Sequence, residues 1–378
     1  MLYLDGAATS PVRQDVLEAM WPFLTGEFGN PSSQNALGFS AATALTTARR
    51  EAAGVLGVRA SEIVFTSGGT ESDNLAIKGI ALADPRGRHL VISAVEHDAV
   101  IESARYLERF HGFETSVLPV GNDGLVSAGS LRDVIRQDTT LVSIMYANNE
   151  IGTVQPIAEL AAVTRAIGVP FHTDAVQAAG WLPLDLSGLG VDALSISGHK
   201  FGAPKGVGAL AVRSRVPLEP LVHGGGQERG VRSGTENVAG AVGLARALTV
   251  PGTADAVGVA RRRDRLIEGV LTGVPDAVLT GHPKARLPGH ASFVFPGTSG
   301  ESLLLELEAR GIVSSSGSAC AAGSDEPSSV LLALGIVPEI AQTAVRFSFG
   351  GEVTDDDVET VIEAVAEAVA AVRALAPR

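Results

Sequence analysis

Short apolar or β-branched runs alternate with longer alanine-rich stretches along most of the chain. Strands buried on both faces read as near-continuous apolar runs, so the alternation predicts an α/β fold with a mainly parallel sheet covered by helices on both sides. The expected strands occupy residues 63–66, 89–93, 141–146, 171–173, 193–197 and 207–212. Polar residues gather where each run gives way to a loop. Ligands of open α/β sheets bind there, outside the carboxyl ends of the strands.

The pattern breaks at 249–254 (Thr-Val-Pro-Gly-Thr-Ala) and resumes with a basic helical stretch over 261–271 and new strand-like runs. This predicts a smaller domain from about that point onward. The last helix is the most distinct local element. Thr354 suits its N-cap, Asp355 to Asp357 suit its positive start, and Val358, Ile362, Val365, Val369 and Val372 recur at helical spacing.

Composition narrows the function classes. With 378 residues, 45% of them hydrophobic, the chain is long enough to bury a core in each of two domains. Forty-four glycines and 19 prolines imply many tight turns, as an α/β enzyme needs. A formal net charge of −13 speaks against nucleic-acid binding, which calls for a clustered basic surface. The first residues, Met-Leu-Tyr-Leu-Asp-Gly, lack the basic and apolar regions of a secretory signal, and no apolar stretch approaches the ~20 residues of a membrane span. A cytoplasmic protein is expected. The single cysteine cannot form an internal disulfide, and a reducing compartment suits a lone functional thiol.

Five segments carry candidate chemistry. Ser197-Gly198-His199-Lys200 closes an expected strand and leads into a Gly/Pro-rich run. An amine in a pocket can condense with an aldehyde cofactor; a surface lysine on a loop is the plain alternative. Phe171-His172-Thr173-Asp174 ends another strand in a carboxylate, with Gln177 three positions on. Pyridoxal phosphate (PLP) acts as an electron sink while its ring nitrogen stays protonated, and a carboxylate such as Asp174 keeps it so. Asp174 would otherwise read as an ordinary helix N-cap. Gln177 is placed to donate to the ring's phenolic oxygen. Thr66-Ser67-Gly68-Gly69-Thr70 joins a strand to a helix start, where bared backbone N–H groups and the helix dipole form a phosphate cradle or simply a turn. His97 follows the 89–93 strand and could stack on a pyridine ring or move protons. Residues 313–324, small and polar, carry Cys320, a nucleophile when its pKa is lowered and a small apolar residue when buried.

In order along the chain, these segments resemble the cysteine desulfurases, class V aminotransferase relatives of fold type I among PLP enzymes. The likeness also rests on residues 4–9 (Leu-Asp-Gly-Ala-Ala-Thr), 29–32 (Gly-Asn-Pro-Ser), 148–152 (Asn-Asn-Glu-Ile-Gly), 223–230 (His-Gly-Gly-Gly-Gln-Glu-Arg-Gly) and 232–235 (Arg-Ser-Gly-Thr). The resemblance implies a PLP-dependent transferase fold, with a large domain of seven-stranded type over 16–250. A smaller α+β domain would comprise 1–15 and 251–378 and carry the cysteine segment. It implies that Lys200 binds the cofactor covalently and acts as acid and base, Asp174 pairs with the pyridine nitrogen, Gln177 contacts the phenolic oxygen and His97 stacks on the ring. Gly69, Thr70, Ser197 and His199 would hold the phosphate, with Thr235 reaching in from a second subunit of a homodimer. Asn149 and Arg346 would hold the substrate carboxylate, the arginine by two parallel hydrogen bonds. L-Cysteine would displace Lys200 and lose its Cα proton. Cys320 as thiolate would then take the sulfur as a persulfide and alanine would leave. The persulfide would pass to a sulfur-acceptor protein of iron-sulfur assembly or tRNA thiolation, without metal, nucleic acid or membrane in the scheme. A selenocysteine lyase or a class V aminotransferase would share the pocket; Cys320 separates these readings.

Overall fold

The structure, a computed structural model, describes residues 1–250, 255–316 and 326–375. Cys320 therefore lies outside the described residues.

The strands are β1 (Leu2–Tyr3), β2 (Ile63–Thr66), β3 (His89–Ser93), β4 (Glu114–Leu118), β5 (Thr139–Ser143), β6 (Phe171–Asp174), β7 (Ala193–Ser197) and β8 (Gly208–Val212). The C-terminal part adds β9 (Val278–Leu279), β10 (His290–Val294), β11 (Ile312–Val313) and β12 (Ala344–Ser348). Seven of them form one sheet in the order β2-β8-β7-β6-β5-β3-β4. Only β8 runs against its neighbours, so the sheet is mainly parallel, as the apolar runs predict. Alternate residues face opposite layers. Val64, Leu90 and Ile92 pack with Leu75, Ile80, Val100 and Leu107 from helices Gly69–Ala83 and Asp98–His111. Ile63, Phe65 and Val91 turn the other way, into a core with Leu45, Leu56, Leu160 and Leu244.

Two departures from the sequence expectations have local causes. Strand β4 was not expected: it is an edge strand whose Glu114 and Val117 are exposed, so it shows no apolar run. The strand expected at 141–146 starts earlier, at Thr139, because two buried threonines extend it. Thr139 is satisfied there by the His89 ring, whose Nδ1 lies 2.8 Å from its hydroxyl. Backbone pairing with β6 still runs on to Tyr146, whose N–H donates to the Asp174 carbonyl at 2.8 Å.

The C-terminal part has its own core. Leu4 packs with Val259, Leu266, Phe293, Phe347, Val365 and Val369. β1 pairs with β11, and β12, β10 and β9 form an antiparallel sheet, so the first residues of the chain join the last elements. Helix Asp355–Leu375 opens on a reciprocal cap: the Asp357 N–H donates to Thr354 Oγ1 at 3.1 Å, and the Asp357 carboxylate accepts the Thr354 N–H at 2.8 Å. Val358, Val365, Val369 and Val372 are buried as their spacing predicts, but Val361 rather than Ile362 completes the stripe. Ile362 instead lies over Gly269 of helix Ala256–Gly273, where an added Cβ would meet its Cδ1 at 2.3 Å; the two helices approach closely because nothing projects from residue 269. Among the described residues, no helix is long and apolar enough to cross a membrane.

Candidate active site

The site residues come from the carboxyl edge of the parallel strands. Asp174 ends β6, Ser197 ends β7, and Gly198–Lys200 forms a single turn directly after it. On the β2 side, Gly69 opens helix Gly69–Ala83; on the β3 side, His97 caps helix Asp98–His111. The sheet thus gathers residues that lie more than a hundred positions apart.

Lys200 Nζ donates to the carbonyls of Ala7 at 2.6 Å and Ala8 at 2.8 Å. Gln177 Nε2 donates to the same Ala7 carbonyl at 2.9 Å, so the N-terminal segment aims both side chains. In this structure the Gln177 amide is thereby engaged by backbone. Sequence reasoning assigned residues 7 and 8 no role, because a carbonyl acceptor leaves no signature in side-chain identity. His97 Nδ1 accepts the Ala99 N–H at 3.1 Å, which places the proton of a neutral ring on Nε2. His199 Nδ1 lies 3.1 Å from Thr9 Oγ1, and burial, with Lys200 and Lys205 nearby, lowers its pKa to about 4. A neutral imidazole can give a phosphate a hydrogen bond there but no full charge. The glycine turn also meets β7: a Cβ on Gly69 would stand 3.4 Å from Ser197 Cβ and 2.7 Å from Val176 Cγ2. Only a glycine leaves that space to an anion approaching the helix start.

Asp174 belongs to a buried acidic cluster that single-residue reasoning missed. Asp174, Asp73 and Glu96 are all buried, and each is within electrostatic reach of another. Burial raises the Asp174 carboxyl, while the charges of His97, its Val176 N–H bond at 2.8 Å and Lys200 pull it back down. Asp73 is raised well above the ordinary carboxylate range by burial and then by Asp174, and its one countering partner is the Ser195 hydroxyl. Ser195 also meets His172 Nε2 at 2.9 Å; the other ring nitrogen meets Ser143 Oγ at 2.9 Å. Burial lowers His172 to about 3, so this histidine is neutral and gives Asp73 no positive charge. Cations therefore favour ionisation at Asp174 within the group.

Glu96 accepts hydrogen bonds from the Ser93 hydroxyl and, at 2.9 Å, from the Met145 N–H through Oε1, while Oε2 has no partner among the described residues. Burial pushes its carboxyl up to about 8. In the unfolded chain a glutamate ionises near pH 4.5, so the folded state loses stability as pH rises from there through 8, at ~1.4 kcal/mol per pH unit. Glu96→Gln keeps the Oε1 acceptor and removes the titration. The melting temperature of Glu96→Gln relative to wild type is expected to climb steadily between pH 5 and 8.5; a flat or falling difference in calorimetry at those pH values contradicts a neutral Glu96.

Arg346, on β12, is almost fully buried. It donates through Nη1 to the Asn149 carbonyl at 2.8 Å and pairs through Nη2 with Asp5 at 2.5 Å. The structure thus brings Arg346 and Asn149 together, but the two arms of the expected fork toward a substrate carboxylate are divided between the Asn149 carbonyl and Asp5. The Asp5–Arg346 pair spans 341 positions and was not foreseen. The Arg346 backbone is paired in both directions with Ser315, which begins the segment leading to Cys320. Thr235 is exposed, just before helix Val238–Thr249, and no hydrogen bond joins it to the other candidate residues among those described.

A lysine amine, a buried carboxylate at a strand end, an imidazole and a glycine-lined helix start are the groups a phosphorylated pyridine aldehyde needs. The class-V aminotransferase family model matches residues 2–361, and the chain belongs to that PLP-dependent family. Within it, the relatives are cysteine desulfurases. The chain is 50% identical to the cysteine desulfurase IscS of Methanosarcina thermophila, over all of this chain and 94% of that protein. A NifS-like protein superposes with a TM-score of 0.90 at 38% identity, covering 98% of this chain and 99% of the other. SspA, solved in complex with cysteine, superposes with a TM-score of 0.83 at 36% identity, over 93% of this chain and 99% of its own.

Proposed function

We propose that this chain removes sulfur from L-cysteine, releasing L-alanine and leaving a persulfide on Cys320 that passes to an acceptor protein of iron-sulfur assembly or tRNA thiolation. One observation carries the role of Cys320. The segment that bears it leaves the described structure beside the candidate substrate residues at both ends. Ser315 is backbone-paired to Arg346, and the Ser328 hydroxyl donates to Glu150, next to Asn149, at 2.5 Å. Cys320 follows Ser315 by five positions in the sequence.

PLP supplies the electron sink that makes the substrate's Cα proton removable. The chain's own residues do the rest. Gly69, Thr70, Ser197 and His199 would hold the phosphate and His97 would cover the ring, while Gln177 would turn from the Ala7 carbonyl to the phenolic oxygen and Asp174 would keep a proton on the ring nitrogen. Arg346 and Asn149 would orient the substrate carboxylate, which would take the place of the Asp5 carboxylate on Arg346. Lys200, released when substrate arrives, takes the Cα proton. The Cys320 thiolate then forms an S–S bond as the substrate's Cβ–S bond breaks, and protonation of the carbon skeleton completes alanine.

A homodimer completes this reading, with Thr235 contributing to the neighbour's phosphate site. Trp21, Leu24, Phe28 and Phe39, within one stretch of the sequence, are each 60% or more exposed, as large apolar side chains awaiting a covering surface would be.

The test is incubation of the PLP-loaded protein with isotopically labelled L-cysteine, followed by mass analysis of the peptide carrying Cys320. A gain of one labelled sulfur, removed by thiol reductant, is expected. Cys320→Ala should keep the yellow cofactor and lose sulfide release by ~100-fold or more. Undiminished release moves the assignment to a lyase that needs no thiol, and steady conversion of a keto acid without sulfide moves it to a transaminase.

A further inference from the structure

At the opposite end of β7 from Lys200, about 17 Å away along five strand residues, lies a cleft of about 560 Å³ that takes no part in the reaction above. Its walls carry Arg59, Arg165 and, from the stretch just after β8, Arg213 and Arg215, together with the carboxylate of Glu62. Val58, half-buried, is the apolar residue that reaches the cleft surface, with Leu186 and Val191 buried in the core behind it. The volume falls within the range of small-molecule sites.

The charge in this cleft runs against that of the chain, whose net charge is −13. Glu62 pairs with Arg59 at 2.9 Å and stands 4.0 Å from Arg213, and Asp192 pairs with Arg215 at 2.5 Å. Four guanidinium groups thus face three carboxylates, because Asp185, which caps the turn at Leu186 and Ser187, also stands against Gly57 of the wall, leaving one positive charge in excess. Against the raising effect of burial, Arg59 and the bonds to Ser214 hold Glu62 down to about pH 2, so it is counted at full charge. Two of the arginines are fixed by the backbone. Arg165 donates to the Gly190 carbonyl at 3.3 Å, and Arg213 to the Gly57 carbonyl at 3.4 Å and to Ser187 Oγ at 2.7 Å. Satisfying those helix-end carbonyls accounts for the presence of two arginines but consumes few donors. Of some twenty guanidinium N–H groups, five are used within the described residues. The rest are offered in the planar forks that suit phosphate oxygens.

The geometry points to a second ligand site: we propose that this cleft binds a small organic phosphate of nucleotide size, its phosphates on Arg165 and Arg213 and its apolar body against Val58. Arg59 and Arg215, each 70% exposed at the side chain, would close over it from the rim.

The experiment titrates PLP-loaded protein, whose own phosphate cradle is filled, with ADP, inorganic pyrophosphate and adenosine at low salt by calorimetry. ADP is expected to bind most tightly, pyrophosphate more weakly, and adenosine not measurably. Arg165→Gln and Arg213→Gln should each weaken ADP at least 10-fold while cysteine turnover without ADP stays unchanged. Should either variant fold poorly, Arg59→Ala, at an exposed position, should still weaken ADP several-fold, and ADP should slow amide exchange at residues 57–59 and 187–191 of the wild type. Equal affinity for ADP and adenosine, no saturation by ADP below millimolar concentration, or unchanged affinity in every folded variant overturns the proposal. So does protection confined to the PLP site.

Discussion

Lys200→Ala is expected to lower cysteine turnover by about three orders of magnitude or more while leaving the melting temperature of the cofactor-free protein close to wild type. Removing both a covalent anchor and a proton carrier costs more than the ~10²–10⁴ of a general base alone. The fold has little to lose, because the Lys200 side chain is only partly buried and donates to two carbonyls of the N-terminal segment. Lys200→Arg should not rescue, since a guanidinium cannot give up its proton to become a base. A small primary amine added to Lys200→Ala should restore part of the activity, because it returns the amine without the tether. Turnover above a tenth of wild type in Lys200→Ala would remove Lys200 from the reaction.

The parts of this site that were legible in the sequence are those set by local rules. A polar residue at the end of an apolar run marks the carboxyl edge of a strand, which singles out Asp174 and Ser197 and, one turn on, Lys200. A glycine turn before a helix marks Gly69 in the same way. Partners fixed by long-range folding were hidden. Asp73 and Glu96 stood in view beside the glycine turn and His97, but nothing local says that a helix residue and a loop residue will be buried beside Asp174. His172 looked like one more strand residue until β5 and β7 supplied Ser143 and Ser195 on either side of its ring. The Asp5–Arg346 pair depends on the first residues joining the C-terminal sheet. Edge strand β4 was lost for a different reason: with water on one side it needs no apolar run, and apolar runs were the signal.

Asp174→Asn is expected to separate function from stability in opposite directions. Asparagine is nearly isosteric and keeps an oxygen to accept the Val176 N–H, so the end of β6 should hold its shape. It cannot balance a protonated ring nitrogen, and turnover should fall by ~10²–10⁴ with the pyridine nitrogen losing its proton at neutral pH. The cofactor-free variant should nonetheless melt higher than wild type at pH 7.5. The sign follows from burial: Asp174 is raised above its ordinary 3.8, so the folded wild type loses stability as pH climbs above that value, and asparagine does not titrate. Its removal also takes away a charge that raises Asp73 and Glu96. At pH 3, where the carboxyl is neutral in both states, the advantage should vanish. Calorimetry at the two pH values, paired with turnover of the loaded protein, reads both effects. A variant that loses activity and also melts lower at pH 7.5 would mean that Asp174 is held by bonds outweighing its burial, and the charge beneath the ring would then have to be assigned anew.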